Sequence, residues 1–415
     1  MKTWKDRRAE AVQLVTAMLK WMIVGGLIGA IGGVIGTAFH MGVDYATELR
    51  HEHGWILYLL PVAGVVIAAL YRVTKTEGLG TNAIIESVNF GSKVPLLLVP
   101  VIFVSTVLTH LCGGSAGREG AALQIGGGIG YQTGRLLRLD GKDLPLATMC
   151  GMGGVFAALF GTPLAATVFA LEVVSVGLLH YAGLVPCITA ALAGFMVSEA
   201  MGVPPTRFAV EMPALEAVTL LRVLVLAALC ALVSVLFCRT IHSMEHLAGK
   251  RVKNVWLRPV CGGIVLIALT LLLGTDYNGA GMDVISRAVA GEAVPWAWLL
   301  KILFTAVTIA CGFKGGEVVP SFFVGATFGC VMGALLGLPA GMGAAIGMIG
   351  VFCGAVNCPL ASMLLSIELF GADGMLYFAL TCAISYLLSG YCGLYSSQTI
   401  VYSKVKAETV NINPQ

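Results

Sequence analysis

The run Gly151-Met152-Gly153-Gly154-Val155-Phe156, with Pro163, Leu164, Ala165 and Glu172 behind it, returns as Gly347-Met348-Ile349-Gly350-Val351-Phe352 with Pro359, Leu360, Ala361 and Glu368. The offset is 196 residues throughout. A bias toward apolar residues rarely returns a proline and a glutamate in register, so the chain is built from two copies of one plan. Upstream, Cys112 to Ala121 corresponds to Cys311 to Pro320, and an apolar, glycine-spaced segment follows each glycine-rich turn, at 122–130 and 321–329. Duplicated halves with interrupted helices are typical of secondary transporters, where half-helix N-termini converge on a substrate near the bilayer midplane. Free amides and the positive end of the helix dipole make such N-termini attractive to an anion. The pattern therefore points to anion transport.

Polarity sets the medium. Hydrophobic residues make up 58% of the chain and charged residues 11%, less than half the charged share of a soluble domain. The surrounding solvent must be largely lipid, which excludes a water-soluble globular protein. Apolar blocks run from Trp21 to Val43 and then over 55–70, 94–111, 144–160, 163–179, 181–201, 217–237, 259–273, 296–311, 321–338, 340–356, 360–370 and 375–388. Several fall below the roughly 20 residues of a simple spanning helix, and these are expected to be tilted or partly penetrating. The expected fold is an all-α polytopic membrane protein. Residues 1–20, with Lys2, Lys5, Arg7 and Arg8, form an amphipathic cytoplasmic segment; 21–201 and 202–403 are the two transmembrane repeats; 404–415 is a short cytoplasmic tail without a soluble regulatory domain. Basic clusters at Arg72 and Lys75, at Arg135, Arg138 and Lys142, from Arg239 to Arg258, and at Lys404 and Lys406 are cytoplasmic by the positive-inside rule. Both termini then lie on that side of a cell inner (plasma) membrane.

Other classes leave little trace. A net charge of +3 with scattered bases gives no nucleic-acid footprint. The twelve cysteines include no CxxC pair and sit mostly in apolar stretches, which makes them packing residues rather than disulfides or zinc ligands. His51 with His53, and His242 with His246, read as solvated pairs, since two nitrogens do not complete a metal site. No metal or cofactor is expected. The run from Gly126 to Gly130 is a packing face, because neither the preceding strand nor the following acid of a dinucleotide fingerprint is there. The rival of a different class is a membrane-embedded hydrolase with Ser115 as nucleophile and His110 as base.

Gly117-Arg118-Glu119-Gly120 resembles the G-(K/R)-E-G-P signature of the CLC family of anion channels and anion/proton antiporters. Gly316-Glu317-Val318-Val319-Pro320 is similar to that family's G-x-F-x-P motif, and Gly78-Leu79-Gly80-Thr81-Asn82 stands where it has G-S-G-I-P. Tyr395 occupies the place of the family's inner-gate tyrosine. The likeness covers essentially the whole chain and implies a CLC-type fold of two inverted-topology repeats with broken, tilted helices, and a homodimer with a pathway in each subunit. The departures set the branch. Ala121 replaces the proline of the first signature, Leu79 replaces a serine, Glu317 replaces an apolar residue, and Val173 stands where chloride/proton exchangers carry a second, inner glutamate. Together these resemble the bacterial fluoride/proton antiporters, although that branch often has Met or Asn, and then Thr, where this chain has Leu79 and Val319.

The resemblance implies fluoride export in exchange for protons, and hence fluoride resistance, with no enzyme activity; the alternative within the family is a chloride/proton exchanger or passive chloride channel. Glu119 would be the gate, occupying the anion position when ionised and leaving it when protonated, a reading supported by its predicted membrane depth. Gly117, Arg118, Gly120, Glu317, Val318 and Val319 would surround the anion, with Tyr395 supplying a phenol donor and Leu79 and Gly80 lining the same cavity. Glu317 either caps its own helix or, protonated, donates a hydrogen bond to fluoride. Glu172 and Glu368 read as structural residues at matching helix ends.

Overall fold

The structure is a computed structural model that describes residues 4–414, with side chains from Arg7 onward. Of the basic N-terminal cluster, Lys2 and the side chain of Lys5 lie outside the described residues, as does Gln415. The first half folds into α1 (Trp4–Glu52), α2 (Leu60–Val73), α3 (Thr81–Phe90), α4 (Leu98–Leu111), α5 (Glu119–Leu136), α6 (Asp143–Phe160), α7 (Pro163–Glu172) and α8 (Leu184–Ala200). The second half repeats the series as α9 (Ala217–Arg251), α10 (Leu257–Leu273), α11 (Met282–Val289), α12 (Ala297–Ala310), α13 (Val318–Leu335), α14 (Ala340–Val356), α15 (Pro359–Phe370) and α16 (Met375–Leu388). Among the described residues, six helical stretches are long and apolar enough to cross a bilayer, and seven apolar helices are only 10–17 residues long.

Three differences from the sequence reading have local causes. Residues up to Lys20 are not a separate segment, because α1 runs unbroken from Trp4 to Glu52; neither Pro nor Gly interrupts it before Gly25. The fold also carries a small sheet in which β1 (Ser175–Val176) pairs parallel with β2 (Thr399–Tyr402), which pairs antiparallel with β3 (Thr409–Ile412). Residues 404–414 are thus tied back through β2 to the strand that follows α7. Lys404 fastens them, its Nζ donating to Asn357 Oδ1 (2.6 Å) and to the carbonyl of Tyr386 (2.8 Å).

Glycine lets the inner helices touch. A Cβ on Gly126 or Gly130 of α5 would strike the backbone of α6 at Gly151 or Ala147, and a Cβ on Gly325 or Gly329 of α13 would strike α14 at Gly347 or Gly343. The same crossing is therefore built twice, once per half. All twelve cysteines are free and ten are buried.

The halves also cap each other. Pro163 and Pro359 open α7 and α15, where a missing N–H costs nothing. The next two amides of each helix are satisfied from the opposite half: Leu164 and Ala165 donate to the Glu368 carboxylate (3.0 and 2.8 Å), and Leu360 and Ala361 donate to that of Glu172 (3.2 and 2.8 Å). Replacing Glu172 with alanine orphans two N–H groups and should cost about 1–3 kcal/mol. The check is a lower thermal midpoint in detergent with ion–proton coupling retained; altered coupling at unchanged stability would contradict this structural role.

Candidate functional site

Two glycine turns, one per half, meet at the centre. Gly113 (φ +87°) and Gly312 (φ +92°) hold equivalent left-handed positions at the ends of α4 and α12, where a side chain would be strained. Each turn is then held by a hydroxyl of the other half: Ser115 N–H donates to Thr308 Oγ1 (3.0 Å) and Lys314 N–H to Thr109 Oγ1 (3.2 Å). Two residues on, Gly117 and Gly316 exchange both backbone hydrogen bonds at 2.7 Å in an isolated antiparallel bridge. The amide of Gly117 is not free for an anion, because it is committed to Gly316 O; Gly117 joins the halves instead.

Immediately beyond the bridge, α5 and α13 begin side by side. In α13 the first in-helix bond is Ser321 N–H to Glu317 O (3.0 Å), and Pro320 has no N–H, so Val318 and Val319 are the amides that face forward. The Glu119 side chain, 1% exposed, fills the space in front of them. Its Oε2 accepts from Arg118 N–H at 3.0 Å. A carboxyl group thus lies at the junction of two helix N-termini. Gly120 packs directly on Gly316, since a Cβ on either residue would collide with the other.

A cavity of about 790 Å³ approaches this junction, lined among others by Leu79, Gly80, Gln124, Lys314, Glu317 and Tyr395. The Glu317 side chain makes no capping bond to its own helix. Tyr395 is 2% exposed, its hydroxyl has no hydrogen-bond partner, and Glu317 and Glu119 both act on it electrostatically. An unpaired buried hydroxyl costs roughly 1–3 kcal/mol unless something bonds to it. A second cavity, about 230 Å³, is lined by Arg118, Asp44, Arg50 and His110. Arg118 reaches toward both sides: Nη1 bonds Asp44 Oδ1 at 2.6 Å, and Nε lies 3.6 Å from Glu119 Oε1. Arg258 and Pro259 at the start of α10 line the larger cavity, while Thr275, Asp276 and Asn278 beyond its end line the smaller. The cavities therefore lie at opposite ends of this helix, about 25 Å long at 1.5 Å per residue, with Glu119 between them.

Sequence reasoning missed several of these residues. Gln124 donates to Thr81 Oγ1 (3.2 Å) at the cavity wall; as a lone amide in a glycine-rich apolar helix, it carried a usable signal. His242 and Glu245 line the larger cavity, and His242 Nε2 lies 3.4 Å from Leu394 O, so this histidine is not simply solvated. Asp44 and His40, paired at 3.0 Å, stand one helical turn apart on α1, far in sequence from Arg118. The hydrolase arrangement is not formed: Ser115 Oγ bonds Thr305 Oγ1 (3.1 Å), and neither ring nitrogen of His110 has a hydrogen-bond partner.

Residues 63–390 match the family model for the voltage gated chloride channel. The chain is 37% identical over 410 residues to a chloride/fluoride channel protein of Pseudomonas syringae pv. tomato, covering 96% of this chain and 91% of that protein. It is 25% identical to an H+/Cl− exchange transporter of Vibrio vulnificus, covering 99% and 94%. Among solved structures, a CLC-type fluoride/proton antiporter superposes with a TM-score of 0.88 at 31% identity, over 96% of this chain and 99% of that one. A slow cyanobacterial Cl−/H+ antiporter gives 0.74 at 19% identity over 89% and 94%, a likeness of fold.

Proposed function

This chain belongs to the voltage-gated chloride channel (CLC) family, and from that premise we propose that it exchanges fluoride for protons across the cytoplasmic membrane and exports fluoride when the proton gradient points inward. The observation that carries the reading is the Gly117–Gly316 bridge, which brings two helix N-termini onto the Glu119 carboxylate between cavities that approach from opposite ends. Ionised, Glu119 occupies the anion position against the Val319 amide. Protonation removes its charge and weakens charge-assisted hydrogen bonds of that kind about twofold, so that a small anion competes for the same amides. Fluoride is strongly hydrated, and the site replaces its water with donors: the Val318 and Val319 amides, the unpaired Tyr395 phenol, and a protonated Glu317 carboxyl. Leu79 adds hydrocarbon to the wall and no hydroxyl for a larger halide.

The protein acts in this reading as a transporter rather than an enzyme, without a cofactor, as a homodimer with one pathway per subunit and both termini cytoplasmic. Liposomes carrying the purified protein and loaded with fluoride or with chloride test it. Fluoride should leave at least about tenfold faster than chloride, a difference of about 1.4 kcal/mol, while the external medium turns alkaline as protons enter. Equal release of the two ions overturns the fluoride assignment, and fluoride release without proton movement overturns antiport.

A further inference from the structure

Arg118 is shared unequally between two acids. Its Nη1 donates to Asp44 Oδ1 at 2.6 Å, while its Nε stands 3.6 Å from Glu119 Oε1, beyond hydrogen-bond reach. The acids differ in setting: the Asp44 side chain is half exposed at the wall of the smaller cavity, whereas Glu119 is buried. Attraction between opposite charges is stronger in a dry site than in a wet one, so the shorter contact would be expected at Glu119. The structure has it the other way round. Asp44 is held there by its own helix. His40, one turn earlier on α1, meets its second oxygen (Nε2 to Oδ2, 3.0 Å), and Phe39 and Val43 of α1 pack with Ala121, Ala122 and Ile125 of α5. Both carboxylate oxygens are therefore engaged, and the helix that carries the acid is locked against the helix that carries the gate.

We propose that Asp44 is a positioning residue of the gate: it draws the Arg118 guanidinium away from Glu119 and so keeps the gate carboxylate ready to take up a proton. A bidentate guanidinium–carboxylate pair is among the strongest polar contacts a protein makes. Closed onto Glu119, it would hold that group ionised and in the anion position. Asp44 prevents the closure and also places a second negative charge behind the gate, which disfavours an ionised Glu119. Both effects act in one direction. The other titratable groups facing Glu119 are Tyr395 and Glu317, and near Arg118 on its far side lie His110, Arg50 and Lys301. All of them stay in place when Asp44 is replaced, so a change in the gate's response to pH reports on Asp44 and Arg118.

The inference rests on Glu119 being the gate, and its test separates the two. Halide release from liposomes is followed over a range of pH set equal on both sides. Fluoride is used, or chloride if wild type does not distinguish the ions, so failure of the fluoride assignment leaves the test intact. Asp44→Asn keeps the shape and an acceptor for Arg118 but not the charge. Its pH of half-maximal release should fall by about one unit, the lower end of the shift that an opposite charge within about 4–6 Å produces. On the alkaline side its release should then be about tenfold slower than wild type, while the acid plateau stays within about twofold. Coincident profiles overturn the inference, and so does loss by one factor at every pH, which a merely structural contact would give. If Asp44→Asn fails to fold, Asp44→Ser removes the same charge with a smaller side chain at this half-exposed position, and an unshifted profile for it is equally fatal. Glu119→Gln keeps the readings apart: pH-dependent release that persists in it removes the gate itself, whereas pH dependence lost there but unmoved by Asp44→Asn removes only the role of Asp44.

Discussion

Glu119→Gln should eliminate fluoride-driven proton movement, lowering it at least about 100-fold, the scale on which removal of an essential proton-transfer group acts. Glutamine has nearly the shape of glutamate and can still accept from the Arg118 amide, so the packing around this 1%-exposed side chain is preserved. What it lacks is a titrating proton and a charge. Arg118 then keeps Asp44 at 2.6 Å but loses its second carboxylate at 3.6 Å. Any fluoride that still crosses should do so without protons, measured with a fluoride electrode and a pH electrode in the same vessel. Coupled exchange at the wild-type ratio would remove Glu119 from the gate.

The second large effect is expected at Gly316. A Cβ there would overlap the Gly120 amide and lie 2.7 Å from Gly120 Cα and 3.4 Å from the Glu119 carbonyl carbon. The atoms it meets are backbone, so the two turns must part rather than a flexible side chain moving aside. Overpacking of this kind costs typically 1–3 kcal/mol, but the functional loss should be greater. Displacing a preorganised site by about 1 Å can lower a rate by about 100-fold. Gly316→Ala should therefore retain a folded protein by size-exclusion chromatography and lose at least that factor in fluoride efflux. Gly249→Ala, at a glycine with nothing within 4 Å of the added Cβ, should match wild type in both measurements. Equal efflux from the two variants would mean that close contact of the turns is irrelevant to transport.

The parts of this site legible in the sequence are those carried by short local patterns. The repeat announced two equivalent turns, and Glu119 stood out as an acid opening an apolar helix. The glycines of 126–130 read correctly as a packing face because small-residue spacing is a property of one helix. The parts that escaped depend on residues far apart in the chain. Nothing local to Gly117 tells that its amide is spent on Gly316, 199 positions away. Glu172 and Glu368 were readable as matching residues, but not as caps exchanged between the halves, since each satisfies a helix that begins in the other repeat. The pairing of the tail was not legible because β3 is four residues long and gains its partner only from β2. Arg50 and Asp44 sit on α1, whose long apolar run drew attention to membrane crossing and away from the side chains it carries to the second cavity.

The central claim is that fluoride and the ionised Glu119 carboxylate compete for one set of backbone amides. Binding of one must then expel the other by linkage, and the expelled carboxylate takes up a proton. Titration calorimetry of fluoride into the purified protein, repeated in buffers of different ionisation enthalpy, counts those protons directly. The account predicts that wild type takes up about one proton per fluoride bound at a pH where Glu119 starts ionised, and that Glu119→Gln takes up none. Fluoride binding to wild type with no proton uptake in any buffer would contradict it.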